Sequence, residues 1–216
     1  MHDHTRNILI FPLLVIMSCP LLVYALDVRI TPELETVEVI HAGEKVTIMR
    51  NQNPDNRVNP EYGGTSRKCP PFCIQPIVIA AGVETIGELE VLDYLKRSSE
   101  GDKSILVIDS RTPDWVNKGT IPGSVNIPWT MLSPEAGADP FAIADLFQEK
   151  FDVKTSEGLW DFTSAKTLVL FCNGMWCGQS PSNIRSLLRF GYPPQKIKWY
   201  RGGMQDWEIL GLTVIR

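Results

Sequence analysis

Two short stretches, "TVEVI" (36–40) and "KVTIM" (45–49), alternate apolar and polar residues with period two, as half-buried strands do; "HAGE" between them predicts the turn of a β-hairpin. The polar run "RNQNPDNRVNPEYGGTSRK" that follows is rich in Asn, Pro and Gly and predicts a long loop leading into "CPPFC". From about residue 84 the pattern changes. Thr85 with Glu88 three residues on forms a capping-box pattern, and Ile86, Leu89, Leu92 and Leu95 then recur at helical spacing. "SILVID" and "TLVLF" read as short buried strands, "PGSVNIP" as a strand entered through a Pro-Gly turn, and "KIKWY" as a last strand. Asp139-Pro140 opens a helix with Phe141, Ala144, Leu146 and Phe147 as expected core residues. Ser180 as N-cap and Pro181 as first helical residue open another, and "MQDWEILG" is a final helix stopped at Gly211. Strands alternating with helices predict an α/β fold: a doubly wound, mainly parallel sheet with helices on both faces, preceded by a small hairpin and loop extension.

The expected organisation is therefore a leader over 1–25, an N-terminal extension with the hairpin and the "CPPFC" loop over 26–83, and the α/β domain over 84–216. The leader is the nearly unbroken apolar run "ILIFPLLVIMSCPLLVYA" after a short polar start; its Val23-Tyr24-Ala25 ending suits signal peptidase. Cleavage after about Ala25 implies a periplasmic or secreted protein. An uncleaved anchor is the alternative, since the run just reaches spanning length, and is the one route by which the chain would be held at a membrane.

The chain has 216 residues and a formal charge of −4, with no basic block of the kind that meets nucleic acid. Without the leader, the cysteines that remain are Cys69, Cys73, Cys172 and Cys177, and His41 is the histidine left. A zinc site built on several histidines is excluded, and no metal or cofactor is expected. In an oxidising space the cysteines can pair.

The stretch "LVLFCNGMWCGQSPSNIRSLL" (168–188) carries the chemistry. Cys172 ends a predicted strand, where ligands of such sheets bind. Asn173, Gly174, Met175, Trp176, Gly178 and Gln179 then turn the chain into a helix at Ser180. Gly174 and Gly178 allow a tight turn with inward N–H groups, and the helix adds its positive end. A thiol there loses its proton more readily than a free one, and the same donors would cradle an anionic persulfide.

"SILVIDSRTPDWVNKGTIPGSVNIP", the cysteine loop and "WYRGGMQDWEILGLTV" together resemble, in order and spacing, the signature stretches of the rhodanese-like (sulfurtransferase) domain family over roughly residues 84–216. The resemblance implies that Asp109 and Arg111 close the first strand and shape the site. It also implies that Gly119 through Pro128 turn into the second strand, and that Gly202, Gly203 and Trp207 lie in the closing segment. Cys172 falls at the sulfur-carrying position, which implies transfer from a small sulfur donor such as thiosulfate or a persulfide to an acceptor thiol, small or on a protein. The loop departs from the family pattern. Seven residues, 173–179, separate Cys172 from Ser180, longer than usual, and the Arg that many members use for an anionic donor is missing, with Gln179 standing nearest.

Alternatives stay open. Cys177 is read as a resolving thiol that closes a disulfide on oxidised or sulfur-loaded Cys172; it could instead be the reactive sulfur, or the pair a permanent bridge. "CPPFC" reads as a structural disulfide, a redox pair that exchanges with the loop thiols, or a soft-metal (copper) site with His41 as third ligand. Pro70 and Pro71 keep it from being helical. At the level of the whole chain, a sulfurtransferase or persulfide carrier stands against a non-catalytic thiol-disulfide or partner-binding module, and then against a copper-handling protein. "CPPFC" is further expected to pack beside the Cys172 loop.

Overall fold

The computed structural model describes residues 27–156 and 158–216. The expected leader lies outside the described residues. Chain order is β1 (Thr36–His41), β2 (Glu44–Met49), α1 (Pro60–Gly63), β3 (Glu84–Ile86), α2 (Glu88–Ser99), β4 (Ile105–Asp109), α3 (Pro113–Val116), β5 (Val125–Asn126), α4 (Pro140–Glu149), β6 (Lys154–Ser156), β7 (Leu159–Asp161), β8 (Thr167–Phe171), α5 (Gln179–Arg189), β9 (Ile197–Tyr200) and α6 (Gly203–Ile209).

The main sheet has the order β3-β9-β8-β4-β5, and every pairing in it is parallel. β8 lies at its centre, and Leu168, Val169, Leu170 and Phe171 are all fully buried, as befits a strand covered on both faces. Successive side chains serve opposite cores. Val107, Val169 and Phe171 join α2, α6 and the hairpin on one face; Ile108, Leu168 and Leu170 join α4 and α5 on the other. The sheet is the doubly wound, parallel α/β form expected, preceded by the antiparallel β1–β2 hairpin.

The hairpin shares the core of one sheet face. Val37, Val39 and Ile48 are buried in the same cluster as Val91, Leu92 and Leu95 of α2. Its far end is tied to the end of the chain: Asn51 N–H donates to Gly211 O at 2.7 Å, Thr213 N–H donates to Met49 O, and Arg50 bridges Leu212.

Three local expectations are corrected. Thr85 and Ile86 belong to β3, where Ile86 pairs with Tyr200, so the helix starts later. Its cap is Glu90, whose carboxylate accepts from Gly87 N–H at 3.0 Å. Sheet pairing outweighs the local capping pattern, and Leu89 is left 52% exposed. Phe141 is 81% exposed, because the buried stripe of α4 runs through Ile143, Leu146 and Phe147, about 200° round the helix from Phe141 at its first pair. The Asp139 cap holds as read, accepting from Ala142 N–H at 3.1 Å. The third correction concerns Ser180. α5 begins at Gln179 after Gly178, so Ser180 is inside the first turn and caps nothing.

Candidate active site

The carboxyl ends of β4 and β8 lie side by side, with Asp109 in register with Phe171. β8 delivers Cys172 into the loop 172–178, and β4 delivers Asp109 and Arg111. The loop is fixed from outside by α6: Met204 N–H donates to Cys172 O at 2.9 Å and Gln205 N–H to Asn173 O at 3.0 Å. That close approach explains a glycine. Gly203 has φ +57°, and a Cβ there would collide with the Cys172 carbonyl and stand 2.8 Å from Gly174 N.

Cys172 and Cys177 are both free thiols, 2% and 3% exposed, so the permanent bridge between them is not formed. Ser180 Oγ donates to Cys172 Sγ at 3.1 Å, and the buried indole of Trp199 donates to Ser180 Oγ at 3.0 Å, which leaves the hydroxyl proton free to face the sulfur. Burial pushes the Cys172 thiol up. Hydrogen bonds from the Cys177 thiol, the Ser180 hydroxyl and the backbone N–H groups of Ser180 and Gly174 outweigh it, and bring the group down from 9.0 to about 7. Cys177 moves the other way: burial, then the neighbouring Cys172 sulfur, push it well above its ordinary value. The two thiols are thus driven in opposite directions, and Cys172 Sγ also lies 3.5 Å from the Cys177 carbonyl oxygen.

Asp109 and Arg111 form a buried pair behind the loop. Arg111 Nη2 meets Asp109 Oδ2 at 2.6 Å, and its Nε meets Oδ1 at 2.9 Å. Arg111 also donates to Asn173 Oδ1 at 3.3 Å, to Tyr62 O–H at 2.9 Å and to Gly119 O at 2.7 Å; Thr120 Oγ1 donates to Asp109 at 2.7 Å. The pair thus holds the residue that follows Cys172. Gln179, the stand-in for the missing loop cation, instead accepts from Thr112 N–H at 3.0 Å and ties the loop to the turn after β4.

Further residues at the site, which carry no signal in the sequence, come from the long loop before the α/β part and from α6. Tyr62 donates to Asn173 Oδ1 at 3.4 Å; burial holds its hydroxyl up at about 12, so it remains a donor. Gln205 accepts from the Trp176 indole at 2.8 Å and donates to Tyr62 O at 2.8 Å. The Arg67 guanidinium lies 4.0 Å over the Trp176 ring. None of these contacts has a local signal, because each joins segments far apart in the chain.

Cys69 and Cys73 are joined by a disulfide in a turn. Phe72, between them, stands edge-on to Trp176 with ring centroids 5.5 Å apart, and Gln75 N–H donates to Met175 O at 2.8 Å, so this turn lies against the cysteine loop. The copper reading finds no third ligand here: His41 Nδ1 accepts from Gly123 N–H at 3.1 Å, and among the described residues no group of three His, Cys, Asp or Glu gathers.

Comparison with known proteins gives a match to the family model described as rhodanese-like domain over residues 91–210. A helix-turn-helix-type transcriptional regulator of Mycobacterium tuberculosis is 25% identical over 122 residues; the match covers 56% of this chain and 42% of that protein's length, so the chain spans about two fifths of this relative. Among solved structures, a Rhodopseudomonas palustris protein of unknown function, described as a possible tyrosine phosphatase, is 21% identical over 63% of this chain and 88% of its own, with a TM-score of 0.41. A human single-domain sulfurtransferase is 23% identical over 59% of this chain and 96% of its own, with a TM-score of 0.37.

Proposed function

Since the chain belongs to the rhodanese-like domain family, we propose that it is a sulfurtransferase or persulfide carrier with Cys172 as the sulfur-bearing residue and Cys177 as the resolving thiol. The observation that carries this reading is the place of the Cys172 sulfur, at the end of β8 inside a tight loop and accepting from Ser180 Oγ at 3.1 Å, where the surrounding donors favour the thiolate. A thiolate at neutral pH is the nucleophile the reaction needs.

With thiosulfate as donor, the Cys172 thiolate attacks the outer sulfur. A new S–S bond forms, the old one breaks, and sulfite leaves with the electron pair. The resulting persulfide anion takes over the hydrogen bonds of the loop. An acceptor thiolate then attacks the outer sulfur and regenerates the Cys172 thiolate. Where no acceptor arrives, Cys177 attacks the inner sulfur, hydrosulfide leaves, and a Cys172–Cys177 disulfide closes, which couples the carrier to a dithiol reductant. The persulfide is cradled by Gly174 and Ser180 N–H groups and by the positive end of α5.

The sulfur-carrier reading is tested by mass spectrometry of the purified protein before and after thiosulfate or a polysulfide. Cys177→Ser should gain and keep about 32 Da, one sulfur; wild type should gain it only until its Cys172–Cys177 bridge closes, and Cys172→Ser should not gain it at all. Uptake by Cys172→Ser but not by Cys177→Ser would transfer the role to Cys177. No uptake by any form would leave a non-catalytic, partner-binding module.

Export belongs to the same proposal. The apolar run ending at Ala25 suggests delivery to the periplasm or outside, where Cys69 and Cys73 oxidise. Sequencing the mature N-terminus should find a start near Leu26; retention of residues 1–25 would make the protein membrane-anchored.

A further inference from the structure

The two buried loop thiols share an apolar cluster with Tyr62 and Phe72, which belong to chain outside the family match. Residues 59–75 cross the cysteine loop and hold it at four places: Tyr62 on Asn173, Arg67 and Phe72 on Trp176, and Gln75 on Met175. The strap is fastened at both ends. Asn59 N–H donates to Glu208 at 2.9 Å, and Gln75 O accepts from Arg201 at 2.8 Å. Its middle is the five-residue ring closed by Cys69–Cys73. Phe72 lies inside that ring, so the bridge decides where the phenyl ring points.

We infer that the strap Asn59–Gln75 is a redox-sensitive cover, shut over Cys172 while the Cys69–Cys73 disulfide is formed and opened to sulfur donors when a dithiol of the thiol–disulfide oxidoreductase class reduces it. The inference rests on the sulfur-carrier reading only in taking Cys172 as the atom to be reached.

The accessibility of the four sulfurs fits this order of events. Cys69 is exposed and Cys73 half-buried, so a reductant meets the bridge first, whereas Cys172 and Cys177 are 2% and 3% exposed. Reduction moves two electrons and two protons from the dithiol to the bridge: the Cys69–Cys73 bond breaks, the dithiol closes to its own disulfide, and two thiols remain. The ring is then an open turn, and Phe72 is no longer held against Trp176. Release gives up the Arg67–Trp176 stacking, and part of that loss is offset at Arg67 itself. Its Nε is buried without a hydrogen-bond partner, and that donor regains water when the strap lifts. A carrier built this way takes up sulfur only where reducing equivalents are being supplied.

The test is the rate at which iodoacetamide alkylates Cys172 in the full chain, followed by peptide mass spectrometry so that each cysteine is read separately. The bridged wild type is compared with wild type reduced by a phosphine, with Cys69→Ala plus Cys73→Ala, and with Phe72→Ala, which keeps the bridge. Reduction and both variants should each speed alkylation of Cys172 by about tenfold or more, the factor by which the open population rises. The comparison of bridged with reduced wild type stands even if a variant fails to fold. Rates that stay together in bridged and reduced protein would overturn the cover. So would a rise on reduction that Phe72→Ala fails to reproduce while its bridge and thermal melt are those of the wild type. A protein that alkylates faster on reduction yet never gains sulfur upholds the cover and overturns the sulfur-carrier reading; one that loads sulfur equally fast with the bridge intact does the reverse.

Discussion

Ser180 Oγ donates to Cys172 Sγ across 3.1 Å, and Trp199 fixes that hydroxyl from behind. A hydrogen bond to a charged group contributes about 1.5–3 kcal/mol, or roughly one to two pH units. Because the thiol sits at about 7, Cys172 is thiolate above that pH, and its reactivity falls tenfold per unit as pH drops below it. Ser180→Ala should therefore move the midpoint of the pH–alkylation profile of the reduced protein upward by about one unit or more. Trp199→Phe should move it the same way by less. A midpoint that stays near 7 in Ser180→Ala would assign the depression to Cys177 and the backbone donors alone.

Cys177 lies beside Cys172, and burial together with its neighbour's sulfur pushes it well above its ordinary value. In Cys177→Ala the Cys172 persulfide should outlive that of the wild type, and no hydrosulfide should be released in the absence of an acceptor. Wild type should release one hydrosulfide per chain and finish with a Cys172–Cys177 bridge. Hydrosulfide release at the wild-type rate from Cys177→Ala would show that another thiol resolves the persulfide.

Much of this was legible beforehand, and the reason is local. β4, β8 and β9 announce themselves as short apolar runs, and the β1–β2 hairpin by its alternation, because burial on two faces or on one leaves a direct trace in composition. The place of Cys172 at a strand end follows from the same runs. What was not legible depends on partners distant in sequence. Tyr62 and Arg67 sit in a polar loop with no periodicity, and nothing nearby says that they rest on Asn173 and Trp176. Thr85 was misread because its capping pattern is real but competes with pairing to β9, and Ser180 because a hydroxyl at a helix start has two uses and the second, toward a sulfur, is tertiary.

Arg111 is fully buried and neutralises an equally buried Asp109. Arg111→Met removes one partner and leaves the carboxylate uncompensated, which costs about 3–5 kcal/mol in such pairs. Urea denaturation should show that loss, together with a weakened hold on Asn173 read as a changed pH–alkylation profile for Cys172. A loss under about 1 kcal/mol would place the pair among those that hydration supports.

Gly203→Ala should damage the site from the outside. The new Cβ meets the Cys172 carbonyl at a left-handed backbone position, φ +57°. The backbone penalty alone is about 1–2 kcal/mol, and the collision adds to it. Thermal melting should fall, and the Cys172 profile should shift because Met204 and Gln205 no longer grip the loop. A melt and a profile equal to those of the wild type would mean that α6 can slide without consequence.

The tie between Met49–Asn51 and Gly211–Thr213 has a consequence for the order in which the molecule is completed. Synthesis delivers the hairpin before any strand of the main sheet, and its partner segment only after all of them. Strands β1 and β2 therefore wait, with Val37, Val39 and Ile48 uncovered, for α2 and then for Gly211–Thr213 to close over them. A nascent chain stopped at residue 210 would hold every strand of the main sheet and still lack the clasp on its hairpin.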